Sequence, residues 1–154
     1  MKLEDYLTPD LVVTDVRPGG IREVLRQLVD PLVEQGLLRE SEELVEALLD
    51  RETLQSTGVG HGVAVPHAIS DEIAAPRLVL ARCPEGVDFQ ALDDRPVHLF
   101  FMLLSPPDEA RNHIKLLARI ARMVRHPEII DELLESTDPD RLLRAVRDYD
   151  RHHV

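Results

Sequence analysis

The 154-residue sequence has a single cysteine, no tryptophan, and aromatic side chains at only 3% of its positions. One cysteine excludes an internal disulfide and is typical of a protein from a reducing compartment. With so few aromatic rings, the core must be built from Leu, Val, Ile and Ala. Cys83 lies in an apolar run, which indicates a small core residue rather than a nucleophile.

Long hydrophobic runs and an excess of basic residues are also missing. No apolar run approaches the roughly 18 residues of a membrane span, and the start of the chain lacks the apolar segment of a signal peptide. We therefore expect a cytoplasmic protein without membrane insertion. The formal net charge of −11 argues against a nucleic-acid partner, because no basic excess is present to neutralise phosphates. It is compatible with steering toward a basic protein partner, or with solubility alone.

What is present is the composition of a globular protein, with 44% hydrophobic and 31% charged residues, and the length predicts one domain over residues 1–154. Apolar periodicities of strand and helix type alternate along the chain. We predict the α/β class: a central mixed sheet flanked by helices on both faces, as in a three-layer α/β/α sandwich. Strands are predicted at 11–13, 63–65, 78–81 and 97–104, the last at the sheet centre, and helices at 21–35, 42–51, from 108 to about 125, after Pro127 and after Asp138.

Local signals refine the helices. Pro31 lies inside the first helical pattern and predicts a kink or break near Leu28, because proline removes a hydrogen bond and clashes with the preceding turn. Gly36 is expected to close that helix, and Ser41 is a candidate N-cap for the next. The third helix is expected to bury a stripe made of Ile114, Leu117, Ala118, Ala121 and Val124.

The most informative stretch runs from Arg51 to His67 and contains glycines at 58, 60 and 62. Such glycines permit positive φ, and their N–H groups can converge into a site for an anion. Pro66 is expected to stop the strand 63–65 and to present His67 at its end. Gly and Pro at this density also mark an ordinary hairpin, so both interpretations are open at this point.

Two other glycine-loop functions are excluded. A Walker A loop needs a lysine after its glycines, and no lysine lies between Lys2 and Lys115. The dinucleotide-binding fingerprint needs its third glycine at position 63, which is Val63.

Several candidate residues also have purely structural interpretations. Arg51 ends a predicted helix, where a cation suits the helix dipole, and His113 can be a polar-face residue of its helix. His61 is expected in a loop, and His98 is expected to be structural. The remaining histidines, 126, 152 and 153, are expected at the surface, and no spacing of ligands supports a zinc site.

Four segments follow one another in a fixed order across nearly the whole chain. They are Ser56-Thr57-Gly58-Val59-Gly60 continuing through Gly62-Val63-Ala64-Val65-Pro66-His67, Val87-Asp88-Phe89 with Leu92-Asp93 and Pro96-Val97, Phe100 to Pro106, and His113 with Leu116-Leu117 and Ile120-Ala121. In this order they resemble the EIIA component of the phosphoenolpyruvate-dependent sugar phosphotransferase system, in its fructose/mannitol class, which includes nitrogen-regulatory members.

The resemblance implies a set of roles for the site. His67 would carry a phosphoryl group on Nε2, with its Nδ1–H held by a backbone carbonyl. His113 and Arg51 would stabilise the phosphoryl group, and the hydroxyl of Thr57 and the N–H groups of the loop with Gly58, Gly60 and Gly62 would bind its oxygens. No cofactor and no metal are implied. Family members often have a basic residue shortly after the active histidine, whereas Ala68-Ile69-Ser70 supplies none here.

Three hypotheses of function follow. The first is a phosphotransferase that accepts a phosphoryl group from a histidine phosphocarrier protein and passes it to the cysteine of an EIIB domain for sugar uptake. The second is a nitrogen-regulatory protein whose phosphorylation state controls its binding to regulatory partners. The third is a metal-dependent hydrolase that uses His61, His67, His98 and His113.

Overall fold

Six strands form one mixed sheet in the computed structural model of the chain, which describes residues 2–40, 42–54, 58–91 and 93–153. The strands are β1 (Val12–Val13), β2 (Gly58–Gly60), β3 (Val63–Ala64), β4 (His67–Ile69), β5 (Arg77–Val87) and β6 (Val97–Ser105). Their order is β1-β5-β6-β3-β2, with β4 also paired to β6. The neighbours β5 and β6 are antiparallel, whereas β1 is parallel to β5 and both β3 and β4 are parallel to β6.

The central strand is β6, and every one of its residues except the half-buried His98 is buried. Successive side chains of a strand point to opposite faces of the sheet. Burial at nearly every position therefore means that both faces are covered, as expected for the middle strand of an α/β sandwich. The predicted central position of 97–104 is confirmed, and so is the predicted fold class.

Five α-helices cover the sheet: α1 (Ile21–Glu34), α2 (Glu42–Leu54), α3 (Ala110–Met123), α4 (Pro127–Glu135) and α5 (Pro139–His152). The first two pack against each other and reach β5 and β4, while α3, α4 and α5 contact β6, β5 and β1. Short 3-10 turns lie at Leu3–Tyr6, Pro9–Leu11 and Pro107–Glu109. None of the helices in the described ranges has both the length and the apolarity to cross a bilayer.

The first helix runs without interruption from Ile21 to Glu34 with Pro31 inside it, so the predicted break near Leu28 is not observed. Its end is formed as predicted by Gly36, which has a φ of 73°. The N–H of Gly36 donates to Val33 and the N–H of Leu37 to Leu32, the bond pair of a Schellman motif. The predicted N-cap of α2, Ser41, lies outside the described residues.

The strand before His67 differs from the prediction, because it continues beyond Pro66. Val63 pairs with Leu99, and His67 pairs with Leu103 in the same register. The proline costs one donor of the ladder, but its carbonyl still accepts from the N–H of Leu103 at 2.9 Å. The pairing therefore resumes without a slip, and His67 opens β4 instead of ending a strand.

The buried stripe of α3 lies one position away from the predicted one. The buried residues are His113, Leu116, Arg119, Ile120 and Met123, whereas the predicted Ile114 is 67% exposed. Two apolar lines run side by side on this helix, and apolar periodicity alone does not tell which of them faces the sheet. The consequence is functional, since the rotation turns His113 inward.

The last two helices follow the prediction. A carboxylate oxygen of Asp138 accepts from the N–H of Asp140 at 3.0 Å, which caps α5. Leu142, Leu143 and Val146 are buried as expected. Cys83 is fully buried in the core.

One buried carboxylate ties the start of the chain to α5. Asp150 is fully buried and accepts from the N–H groups of Leu3 and Glu4 at 3.2 and 2.9 Å. The guanidinium of Arg119 donates to the same carboxylate from Nε and Nη2. Four donors thus compensate the desolvation of one buried charge, which a carboxylate in the interior requires.

We predict that Asp150→Ala destabilises the fold by about 3–5 kcal/mol, because it leaves a buried guanidinium and two backbone N–H groups without their acceptor. Urea denaturation of both proteins measures the difference. The matched control is Asp148→Ala, an exposed aspartate on the same helix, for which we expect less than about 0.5 kcal/mol. A loss below about 1 kcal/mol in Asp150→Ala would contradict the proposed role of this carboxylate.

Candidate functional site

Two histidine rings face each other at one edge of the sheet. The centroids of His67 and His113 are 5.7 Å apart, and their planes are tilted by 53°. His67 comes from the first position of β4 and is half-buried, while His113 comes from the first turn of α3 and is 5% exposed. The strand pairing and the rotation of α3 together bring the two rings into one pocket.

The ring of His67 is held in one tautomer. Its Nδ1 lies 2.8 Å from the carbonyl oxygen of Val65, and since a carbonyl can only accept, Nδ1 carries the proton and donates. The other ring nitrogen, Nε2, is therefore the one with an available lone pair. This is the arrangement that the resemblance implied for this histidine.

The ring of His113 is held by a residue that the sequence reasoning did not select. Its Nδ1 lies 2.7 Å from Oγ of Ser105, a fully buried serine at the end of β6. Ile69 of β4 pairs with the same serine, so the strand that carries His67 also borders the support of His113. A hydroxyl at the end of the most apolar strand was the available signal, because a buried polar group needs a partner.

Burial makes both rings reluctant to take a proton. Burial lowers the pKa of His67, the hydrogen bond to Val65 raises it, and the positive charge of Arg51 lowers it again. Burial lowers the pKa of His113 to about 4, with a further lowering by His67. At neutral pH both rings are therefore uncharged, which is the state a nucleophilic imidazole needs.

Arg51 lies in the last turn of α2 and is half-buried. The helix contacts β4, and the charge of Arg51 acts on His67, so the guanidinium belongs to the same neighbourhood. Arg51 thus lies both at the end of its helix and close to His67. The two interpretations left open by the sequence are thus compatible.

Gly60 and Gly62 lie at a hairpin turn between β2 and β3, with φ of 90° and 78°. Gly62 precedes His67 by five residues of the paired strand, which is about 16 Å at the usual rise. The structure therefore does not bring these two glycines to His67, and for them the hairpin interpretation holds. Gly58 is nearer, since it pairs with Ala64, and Thr57 lies outside the described residues.

A side-chain carboxylate already binds to this hairpin turn. The N–H of His61, which has a φ of 59°, donates to a carboxylate oxygen of Asp93 at 3.1 Å. N–H groups of Arg95 and His61 lower the pKa of the Asp93 carboxyl. The sequence reasoning expected such amides to bind a phosphoryl group, but a side chain of the same protein takes up the His61 amide here.

The other histidines lie away from the pair. His98 hydrogen-bonds through Nδ1 to the carbonyl of Cys83, and His61 is in the hairpin turn, so neither joins His67 and His113 in a set of metal ligands. Among the described residues, the group with ligand spacing is the exposed trio Glu40, Glu43 and Glu72, which contains no histidine. The metal-hydrolase hypothesis has no support from this geometry.

A family model described as "Phosphoenolpyruvate-dependent sugar phosphotransferase system, EIIA 2" matches residues 5–149. A fructose-specific EIIABC component from Bacillus subtilis is 30% identical over 98% of this chain, which spans 24% of that longer protein. A fructose-specific EIIA component from Haloferax volcanii is 34% identical over 84% of this chain and 85% of its own length. A nitrogen regulatory protein from Bradyrhizobium diazoefficiens is 34% identical over 90% of each chain.

Solved structures agree with these relatives. The nitrogen regulatory protein IIA-Ntr from Neisseria meningitidis superposes with a TM-score of 0.84 at 27% identity, covering 93% of this chain and 97% of its own. The mannitol IIA protein from Escherichia coli, in complex with phosphorylated mannitol IIB, gives 0.76 at 25% identity, covering 90% and 95%. Both are similar to this chain over nearly its full length.

We predict that His113 titrates near pH 4, well below the ordinary value of 6.5. The unfolded chain binds this proton at about pH 6.5, so between the two values the unfolded state holds more protons and stability falls as the pH drops. The contribution is about 3 kcal/mol over that window. Nuclear magnetic resonance titration of the ring protons measures the pKa directly.

The variant His67→Ala separates the two causes of the low pKa of His113, which are burial and the charge of His67. Because burial is the larger one, the pKa of His113 should rise in this variant and still stay below 6.5. A midpoint near 6.5 in the unaltered protein would show that the ring of His113 is hydrated and not enclosed as the structure has it.

Proposed function

Because the chain belongs to the EIIA 2 family of the phosphoenolpyruvate-dependent sugar phosphotransferase system, we propose that His67 is its phosphoryl-carrying residue. We take residues 1–154 as one such domain, working in the cytoplasm as a protein-to-protein phosphotransferase. The observation that carries the proposal is the hydrogen bond from His67 Nδ1 to the carbonyl of Val65. It leaves Nε2 as the nucleophile on a half-buried ring at the rim of the site.

The transfer needs in-line geometry and little covalent assistance. The lone pair of Nε2 attacks the phosphorus held on a histidine of the phosphocarrier protein. The bond between that phosphorus and the donor nitrogen breaks, and the donor ring takes back the electron pair. His67 keeps its Nδ1 proton throughout, and the Val65 carbonyl stabilises the positive charge that the ring acquires. Transfer onward, to a cysteine of an EIIB domain, repeats the displacement with His67 as the leaving group.

Two groups would stabilise the phosphoryl oxygens. Arg51 supplies a permanent charge with a planar set of donors. Ser105 would donate its hydroxyl proton to Nδ1 of His113, which puts the ring proton on Nε2 and makes it a donor to the phosphoryl group. Such charge-assisted hydrogen bonds are each worth about 1.5–3 kcal/mol.

The backbone N–H of Gly58 and the hydroxyl of Thr57 would serve as further donors to these oxygens. The three residues that follow His67, which are Ala68, Ile69 and Ser70, supply no cation. Arg51 would thus supply the main positive charge beside the phosphoryl oxygens in this protein. Neither a cofactor nor a metal enters the step.

The rim of the site suits a protein partner. Ile114, next to His113, is 67% exposed, and Ile69, two residues after His67, is 43% exposed. Large apolar side chains exposed near a reactive group are typical of an interaction surface. In the Escherichia coli mannitol system, a IIA protein of similar fold forms a complex with phosphorylated IIB, and an EIIB domain is the acceptor we propose here.

A regulatory function is the second candidate. The observation that favours it is the structural similarity to the nitrogen regulatory protein of Neisseria meningitidis. Its TM-score is 0.84, whereas that of the Escherichia coli mannitol IIA protein is 0.76. In that case phosphorylation of His67 would change the charge of the same rim and so control the binding of a regulatory partner. Both candidates share the first step and differ in the second.

We predict that the protein becomes phosphorylated when it is incubated with phosphoenolpyruvate, the histidine phosphocarrier protein and the enzyme that phosphorylates that carrier from phosphoenolpyruvate, and that His67→Ala abolishes the modification. Mass spectrometry of the intact protein measures it. Arg51→Gln and His113→Gln should slow the modification by about 10- to 100-fold, because each removes one charge-assisted contact. His126→Gln, a change of a histidine outside the site, should leave the rate unchanged.

Retention of the modification in His67→Ala would refute the proposal. Adding an EIIB domain to the purified phosphoprotein then separates the two candidates. Loss of the phosphoryl group to EIIB supports sugar transport, and a phosphoprotein that resists every EIIB while binding a partner in a state-dependent way supports regulation.

We also predict that Ile114→Glu weakens docking of the phosphocarrier. The donor concentration that gives half-maximal rate should rise about tenfold, while the maximal rate changes little, because the substitution removes uniform binding. Ala121→Glu is the matched control, an exposed position about two turns further along α3. A fall in the maximal rate alone would assign Ile114 to the chemistry and not to docking.

A further inference from the structure

Positive charge gathers in one cleft of this acidic protein. Between the second half of α3 and the end of α5 lies a cavity of about 720 Å³, a size common for small-molecule sites. Lys115, Arg119, Arg122 and Arg125 line it, and among the described residues no Asp or Glu does. The chain has 29 acidic residues against 18 basic ones, so this local balance is the reverse of the overall one.

The cations at the rim have no partners within the described part of the chain. Arg122 and Arg125 are exposed and take part in none of the ion pairs found there, and the same holds for Lys115. Elsewhere on the surface, Arg22, Arg26 and Arg147 each pair with a glutamate. Like charges held close together repel each other, and an anion between them would remove that cost.

The floor of the cleft is rigid. Arg119 is 7% exposed and donates from Nε and Nη2 to Asp150, and its guanidinium lies 5.4 Å from the ring centre of Tyr149. Its remaining nitrogen, Nη1, makes none of the hydrogen bonds found among the described residues. The Asp150 carboxylate also accepts from two backbone N–H groups. It is therefore hydrogen-bonded beneath Arg119 and does not line the cleft.

Aromatic rings form the second wall. His153 stacks on Tyr149 with centroids 4.2 Å apart and planes within 14°, and His126 lies 5.0 Å from His153. Glu128 lies next to this wall, with its carboxylate 3.3 Å from Nδ1 of His126. The outer His153 is exposed and offers a flat surface next to the cations.

We propose that this cleft binds a small anion with at least two phosphoryl groups. Lys115 and Arg122 are two turns apart, about 10 Å along the axis of α3, so the cations are spread along a length that a diphosphate or longer chain fits better than a single phosphate. Guanidinium groups bind phosphate oxygens in pairs. Neither His67 nor His113 lines the cleft, so the site is separate from the phosphoryl-carrying one and independent of its function.

The shared chemistry has two possible sources, an inorganic polyphosphate and a nucleoside diphosphate. Calorimetric titration at low ionic strength with inorganic pyrophosphate and with ADP distinguishes them. Equal affinities identify the phosphate chain as the whole ligand, and tighter binding of ADP adds a base stacked on His153. Either result supports the site, and added salt should weaken both because the contacts are ionic.

The double variant Arg122→Gln/Arg125→Gln should weaken pyrophosphate binding at least about tenfold, since it removes two charge-assisted contacts. The matched control is Arg141→Gln/Arg144→Gln, which changes the net charge equally at exposed positions of α5. Arg51→Gln is a second control and should leave the affinity unchanged. Melting temperatures without ligand establish that each variant folds, and Lys115→Gln replaces the double variant if it does not.

The absence of pyrophosphate and ADP binding to the unaltered protein would overturn the proposal. So would binding that the control pair weakens as much as the double variant, since this would show a response to net charge alone. Loss of binding in Arg51→Gln with none in Arg122→Gln/Arg125→Gln would place the anion at the His67 site instead. Phosphorylation of His67 is read by mass spectrometry in the same variants, so the two proposals succeed or fail separately.

Discussion

The parallel pairing of the strand 63–69 with β6 is the constraint on which the rest of the site depends. It keeps one register from Val63 to Ile69 even though Pro66 contributes no donor. That register places His67 beside Leu103 and ends at Ser105, the residue that holds His113. Because β6 is buried on both faces, neither strand can shift without repacking the core on both sides of the sheet, since a slip of one residue turns every side chain to the other face. The two rings are therefore positioned by the core itself.

Burial and charge act on these rings in a balanced way. Burial lowers the pKa of both histidines and keeps them neutral, which a nucleophile and a hydrogen-bond donor both need. A phosphoryl group on His67, as we propose, would bring negative charge beside both rings, and opposite charge raises the pKa of a neighbouring base. The enclosed His113 and the permanently charged Arg51 are thus complementary: one responds to the arriving charge, and the other is always present. Neutral imidazoles also avoid placing two further cations close to Arg51.

The protein has two surfaces of different character. Apolar side chains, Ile69 and Ile114, are exposed near His67 and His113, whereas the cleft between α3 and α5 is lined by arginines. Both surfaces include residues of α3, whose buried face carries His113 and Arg119 on one line. The same helix rotation that turns His113 toward His67 directs Arg119 toward Asp150. The orientation of α3 against the sheet therefore sets the geometry of both sites.

The sequence by itself determined the α/β class, the central strand and the helix end at Gly36, and it indicated the candidate set of His67, His113 and Arg51, because burial patterns, turn residues and motif order are local properties. Only the tertiary structure decided three other features. Gly60 and Gly62 belong to a hairpin remote from His67, the strand passes through Pro66, and α3 buries the line of His113 instead of that of Ile114. Each of these depends on which surface another element covers. Ser105 shows the same limit, since its role exists only once α3 packs against the end of β6, and a side-chain contact between two elements is not encoded in the periodicity of either one.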